Sequence, residues 1–143
     1  MSDVEEARIA VAAAKTTGLP VIASFAFDSG KKKDRTMMGA TPEAVAAAMV
    51  EAGADGVGAN CGVGIEFAEE ICALLHAACG LPIWIKPNAG LPRMEGDTIH
   101  YDVTPEFFAS HCAALRAAGA SFLGGCCGSN PDFIRALVRA RCG

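Results

Sequence analysis

Three cysteines stand where folding could bring their sulfurs together. Cys61 closes the stretch Gly58-Ala59-Asn60-Cys61-Gly62, and Cys126 and Cys127 lie side by side between Gly124-Gly125 and Gly128. Each follows a short apolar run that reads as a β-strand, which puts each at a strand's carboxyl end. In parallel α/β architectures the loops at those ends converge on one face and carry the ligand site. Consecutive side chains of a strand point to opposite faces, so Cys126 and Cys127 reach one ion only if the backbone curls there, and Gly124, Gly125 and Gly128 permit the curl. Cys61 belongs to a strand two units earlier, which places it one intervening strand away. Three converging thiolates favour zinc, and three protein ligands leave the fourth tetrahedral position open for a substrate. An open position implies catalysis.

The remaining candidates carry less chemistry. The chain has 7 cysteines, an odd number that cannot all pair, which argues against a disulfide framework and for a reducing compartment. Cys72, Cys79 and Cys112 fall on or beside helices and Cys142 near the end of the chain; they read as small buried hydrophobes or incidental thiols. His76 and His111 lie within helical stretches and His100 in a loop, where structural roles are the plain reading. Lys31-Lys32-Lys33 reads as a solvated loop, and Gly62-Val63-Gly64 lacks the spacing of a dinucleotide or P-loop motif.

The elements that must position these residues alternate. A helix is expected over Val4 to Thr16, then a strand over Val21 to Phe27 and a polar loop from Asp28 to Ala40. Thr41-Pro42-Glu43 opens a helix reaching about Ala52, with Thr as N-cap and Pro at the first helical position. A strand over Ala54 to Ala59 precedes a helix over Ile65 to Ala78, and a strand over Ile83 to Lys86 precedes a long polar loop, Leu91 to Val103. Thr104-Pro105-Glu106 repeats the helix-opening signal for a helix ending near Gly119. A strand over Ser121 to Gly125 and a helix from Asn130-Pro131-Asp132 to about Arg141 complete the series. Strands joined through helices run parallel, so the fold class is α/β with four parallel β/α units. A shift of 66 residues lays Ala52-Gly53-Ala54 on Ala118-Gly119-Ala120 and Cys61-Gly62 on Cys127-Gly128, the mark of repeated like units. An eight-stranded β/α barrel takes about 250 residues, and the 143 residues here fall far short of that.

Composition excludes several function classes. With 12 Lys plus Arg against 16 Asp plus Glu, a net charge of -4 and 20% charged residues, the chain is neither disordered nor built for nucleic acid. Its apolar runs fall short of the ~20 residues that span a bilayer, and the start Met-Ser-Asp-Val-Glu-Glu-Ala-Arg is no secretory signal. A cytoplasmic location without membrane attachment is expected.

Ser24-Phe25-Ala26-Phe27-Asp28, Gly58-Ala59-Asn60-Cys61, Lys86-Pro87-Asn88-Ala89-Gly90 and Gly124-Gly125-Cys126-Cys127-Gly128 together resemble the second half of the zinc-dependent homocysteine S-methyltransferase domain. The Lys-Pro-Asn-Ala-Gly stretch is more similar to the cobalamin-dependent methionine synthase branch than to the betaine-dependent one. The resemblance implies half of a TIM barrel over residues 1–143, with Cys61, Cys126 and Cys127 as zinc ligands and the homocysteine sulfur in the fourth position. There zinc lowers the thiol pKa, so that a thiolate attacks an electrophilic methyl group and gives methionine. It further suggests Asn88 as a neutral oxygen donor that occupies or borders the open position; the alternative is an Asn tolerated in a tight turn after Pro87. Asn60 is expected to orient the Cys61 loop and Gly125 and Gly128 to support the site, with no catalytic residue beyond the zinc centre.

The family's barrel has eight strands, and its grip on the amino and carboxylate ends of homocysteine comes mainly from the first four. Met1-Ser2-Asp3 aligns just after the fourth strand, so the expected partners are homocysteine and an N-terminal half-barrel in cis or in trans; the donor stays open between methylcobalamin on a corrinoid protein or domain, betaine and another methyl compound. Two other classes stay open at this point. One is an interaction module, a half-barrel that self-associates or docks with a structural zinc, and the other is a redox relay of vicinal cysteines.

Overall fold

The structure, a computed structural model, describes residues 1–62 and 64–141. In chain order it holds α1 (Val4–Lys15), β1 (Ile22–Phe25), α2 (Pro42–Glu51), β2 (Gly56–Cys61), α3 (Ala68–Ala78), β3 (Ile83–Pro87), β4 (Pro92–Glu95), β5 (Thr98–Tyr101), α4 (Pro105–Ser110), α5 (Cys112–Ala117), β6 (Ala120–Leu123) and α6 (Pro131–Arg141). Side chains start the helices, at Thr41 and Thr104 as the sequence predicts and at Asp3 as well. Asp3 accepts from the Glu6 N–H at 2.8 Å, Thr41 from Ala44 and Thr104 from Phe107, both at 3.2 Å. Each satisfies an N–H that the first turn leaves without a partner.

Four strands form one parallel sheet in the order β1-β2-β3-β6. The α/β class of four parallel units therefore holds. The order also puts a single strand, β3, between the strands that end in Cys61 and in the Cys126-Cys127 turn. Ala23, Phe25, Val57, Ile83 and Ile85 face the helices and are buried against Val45, Met49, Ile71, Leu75, Phe108, Leu115, Phe133 and Leu137. The other face carries a row in register, Ser24, Gly58, Trp84 and Phe122. Trp84 and Phe122 pack ring to ring at 5.3 Å, and the Lys86 ammonium sits 5.3 Å from the Trp84 ring centre. Gly58 has no substitute in this row, because a Cβ there would run into the Trp84 carbonyl. Phe122 remains 48% exposed. Parallel sheets normally have both faces covered, so this face is a barrel interior seen from the open side.

Three expectations change in detail. The polar loop expected from Leu91 to Val103 contains the antiparallel hairpin β4–β5, with Pro92 paired to Tyr101 and Glu95 to Thr98. The helix expected from Thr104 to Gly119 is interrupted at His111 between α4 and α5. There the Ser110 hydroxyl donates to the Phe107 carbonyl at 2.7 Å and competes with the helical ladder. The first turn of the helix expected from Ile65 is a 3-10 turn, Ile65–Phe67. Among the described residues, no helix is long and apolar enough to cross a membrane.

Candidate metal centre

The ends of β2, β3 and β6 are laced together beyond the regular sheet. The Asn88 N–H donates to the Cys61 carbonyl at 3.2 Å, and the Cys126 N–H to the Pro87 carbonyl at 2.9 Å. The Ala89 N–H donates to the Cys127 carbonyl, also at 2.9 Å. Pro87-Asn88-Ala89 is thus a spine with a cysteine loop on either side. The Asn88 side chain, 8% exposed, repeats the arrangement. Its Nδ2 donates to the Gly62 carbonyl at 3.1 Å and its Oδ1 accepts from the Cys127 N–H at 3.0 Å. One lone pair of that oxygen stays free.

The glycine that follows the cysteine has the same backbone shape in both copies of the internal repeat, whereas Cys61 and its counterpart Cys127 differ. Gly62 and Gly128 have φ of +72° and +78°, and Cys61 itself has φ of +58°, a left-handed conformation that costs a residue with a Cβ roughly 1–2 kcal/mol. The three glycines of the second loop do different work from that expected. Only Gly128 adopts the left-handed region; Gly125 is needed for room, because a Cβ there would collide with the Ser129 side chain. Ser129 in turn donates its hydroxyl to the Cys126 carbonyl at 2.6 Å. A Cβ on Gly128 would meet the ring of Tyr101, so the hairpin closes directly onto the Cys126-Cys127 turn.

These turns bring the three sulfurs within 4.8 Å of one another. Cys61 Sγ lies 3.1 Å from Cys126 Sγ, which lies 4.0 Å from Cys127 Sγ. Thiolates around a tetrahedral zinc, with Zn–S of about 2.3 Å, stand about 3.8 Å apart. The spacing and the soft donor set therefore fit such an ion. Cys61 and Cys126 are half-buried and Cys127 is exposed, so the cluster opens to one side. Behind Cys61 a narrow cavity of about 20 Å³ is walled by Phe27, Ile85 and Pro87, room for about one water and none for an amino acid.

Burial pushes the Cys61 thiol up to about 11, and its hydrogen bond to Cys126 acts the same way against the opposing Asn60 amide. Burial also acts upward on Cys126, but the hydrogen bonds it receives from Cys61 and from Cys127 hold it below the ordinary thiol value.

Of the other candidates, Cys72 is buried with its thiol pushed up to about 11 by that burial, and it donates to the Leu115 and Ala118 carbonyls. Cys79 donates to the Leu75 carbonyl at 3.3 Å and Cys112 is buried in the core. Cys142 lies outside the described residues. His111 contacts Glu69 at 2.8 Å and His100 faces Glu95 at 3.7 Å, both away from the sulfurs. Three side chains at the centre were not anticipated: Tyr101, Ser129, and Ser24, whose hydroxyl donates to Asn60 Oδ1 at 2.7 Å.

The family model described as homocysteine S-methyltransferase matches residues 1–141. The chain belongs to the homocysteine S-methyltransferase family. Within the family it is 36% identical over 109 residues to the methionine synthase of Mycobacterium leprae, covering 74% of this chain and 9% of that protein. It is 32% identical over 105 residues to the methionine synthase of Mycobacterium tuberculosis, covering 73% of this chain and again 9% of the relative. The chain therefore spans about a tenth of the length of these relatives. Its fold is that of the Escherichia coli homocysteine methyltransferase MmuM. The metallated form aligns over 99% of this chain and 42% of that one with a TM-score of 0.75 at 22% identity. The oxidized form aligns over 99% and 43% with a TM-score of 0.74. This member of the family is accordingly a partial barrel.

Proposed function

We propose that this chain is the metal-bearing portion of a homocysteine S-methyltransferase that forms methionine, its residues 1–143 acting as the C-terminal half of a homocysteine-binding barrel. The observation that carries the reading is the convergence of three cysteine sulfurs within 4.8 Å at the carboxyl end of a parallel sheet, in a chain of this family. Cys61, Cys126 and Cys127 would hold zinc, which when bound lets the homocysteine thiol lose its proton near neutral pH and become the nucleophile.

The chain's own residues prepare the place for it. The Asn88 amide ties the Gly62 turn to the Cys127 N–H and so sets the separation of the two cysteine loops. The free lone pair of Asn88 Oδ1 gives a neutral donor that borders the fourth position until the substrate sulfur takes it. Ser129 bonds the Cys126-Cys127 turn and Tyr101 packs against it at Gly128. The grip on the amino and carboxylate ends of homocysteine belongs to an N-terminal half-barrel, in cis or in trans. In this reading the methyl donor is methylcobalamin presented by a corrinoid domain or protein, a choice that rests on the Lys86-Pro87-Asn88-Ala89-Gly90 stretch.

Metal analysis of protein purified under reducing conditions tests the reading. One zinc per chain is expected, falling to near zero in Cys126→Ala; a content near zero in the unsubstituted protein and unchanged in the variant refutes it. A second reading, association through the open sheet, is favoured by Phe122, exposed beside Trp84 on the uncovered face. Sedimentation with and without a separately produced N-terminal half decides it, and a monomer with no affinity for that half counts against it.

A further inference from the structure

The three sulfurs of the cluster have unequal surroundings. The Asn60 Nδ2 donates a hydrogen bond to Cys61 Sγ at 3.1 Å. Among the described residues, no side-chain amide does the same for Cys126 or Cys127; the Cys126 sulfur is met by its two neighbouring sulfurs and by backbone groups of Cys61 and Cys127. The contact is unusual in origin, because neighbouring side chains on a strand point apart. The left-handed Cys61, with φ of +58°, turns its side chain back toward Asn60. On the other side the Ser24 hydroxyl of β1 donates to Asn60 Oδ1 at 2.7 Å. A negatively charged sulfur accepts from the NH₂ end of the amide and repels its carbonyl end, and the serine hydroxyl anchors that carbonyl. Ser24, Asn60 and Cys61 thus form a directed chain of donors ending on one sulfur.

A thiolate ligand is itself a nucleophile. If the electron pair of Cys61 Sγ attacks an electrophilic methyl group, that pair becomes the new S–CH₃ bond, the bond from carbon to the leaving group breaks, and the leaving group departs with the pair of the broken bond. The product thioether carries no charge and is a poor metal ligand, so one such event ends the site's use. A hydrogen bond to the sulfur stabilises its lone pair and lowers its reactivity, as partners of metal ligands generally tune them. We propose that Asn60, held by Ser24, shields the Cys61 sulfur from methylation and so directs the methyl group to the substrate sulfur. Ser24 and Asn60 are positioning residues in this scheme, since they act through Cys61.

The inference rests on the proposed zinc site, and one experiment separates the two. The chain is loaded with zinc, its metal content measured, and methyl iodide added, with iodide as the leaving group; S-methylation of each cysteine is followed by peptide mass spectrometry. Asn60→Leu, which keeps the shape and removes the donor, is expected to raise the rate at Cys61 by on the order of tenfold, the effect of one charged hydrogen bond, with the rates at Cys126 and Cys127 unchanged. Ser24→Ala is expected to raise the Cys61 rate by about threefold, and it decides the matter if Asn60→Leu does not fold. An unchanged Cys61 rate in Ser24→Ala, or equal rises at all three cysteines, overturns the shielding role while leaving the metal site standing. Absence of bound zinc in the unsubstituted chain overturns the metal site and the shielding role with it.

Discussion

Replacing Asn88 by alanine removes the side chain that joins the two cysteine loops. The loss includes a hydrogen bond of 3.1 Å to the Gly62 carbonyl and one of 3.0 Å from the Cys127 N–H, both made by a residue that is 8% exposed. A hydrogen bond contributes about 0.5–1.5 kcal/mol net, and a buried partner left unsatisfied costs about 1–3 kcal/mol. Two such bonds with partly buried partners give an expected destabilisation of about 2–4 kcal/mol, a large share of the roughly 5–15 kcal/mol that holds a domain folded. The backbone bonds from Asn88 to Cys61 and from Ala89 to Cys127 survive the substitution, so the fold should persist with a looser centre. Urea denaturation under reducing conditions, with and without zinc, measures the stability; competition with a chromophoric chelator measures the affinity. Zinc affinity is expected to fall about 10–100-fold, the usual effect of removing a group that orients metal ligands. A stability loss below about 0.5 kcal/mol together with an unaltered affinity would refute the role assigned to Asn88.

Metal affinity should depend on pH with a definite sign. Cys61, pushed up to about 11, is protonated at neutral pH and must give up its proton to bind metal. Affinity is therefore expected to rise by at least about tenfold per pH unit from about pH 6 to pH 8 and to be lost as pH falls; a flat profile by chelator competition contradicts it. Gly128→Ala forces a Cβ into the ring of Tyr101 and keeps φ at +78°. A loss of about 1–2 kcal/mol from the backbone alone is expected, and because Tyr101 is the sole tyrosine, its near-ultraviolet circular dichroism should change with it. Thr104→Ala removes the cap on the Phe107 N–H and should cost about 1 kcal/mol in urea denaturation without affecting zinc content.

The parallel order and the position of the cysteines were legible because glycine, proline and threonine punctuate this chain at most of the boundaries between strands and helices. Thr41 and Thr104 cap where the pattern says they should, and β3 falls between the two cysteine-bearing strands as the repeat requires. The hairpin was missed for a physical reason. All four residues of Pro92–Glu95 are exposed, and so are Thr98, Ile99 and His100, so no burial imposes an alternating pattern. Gly96-Asp97, a two-residue turn pair with Gly96 at φ of +60°, was the available signal. The break at His111 depends on one hydroxyl finding one carbonyl, and apolar periodicity does not register it. The Ser24–Asn60 contact joins residues 36 apart in the chain and depends on strand register. The left-handed Cys61 was equally hidden, since glycine and not cysteine is the residue that announces that conformation.

The row across the open face of the sheet is uneven in volume. Ser24 and Gly58 leave a hollow over β1 and β2, while Trp84 and Phe122 fill the space over β3 and β6. Protein interiors pack to the density of organic crystals, so strands that close over this face have to bring large side chains to the hollow and small ones to the indole. A partner with an even row would leave a void at Gly58 or a clash at Trp84. In the proposed half-barrel reading the sheet is a mould, whose relief would select among half-barrels by shape, independently of any residue assigned to the metal or the substrate.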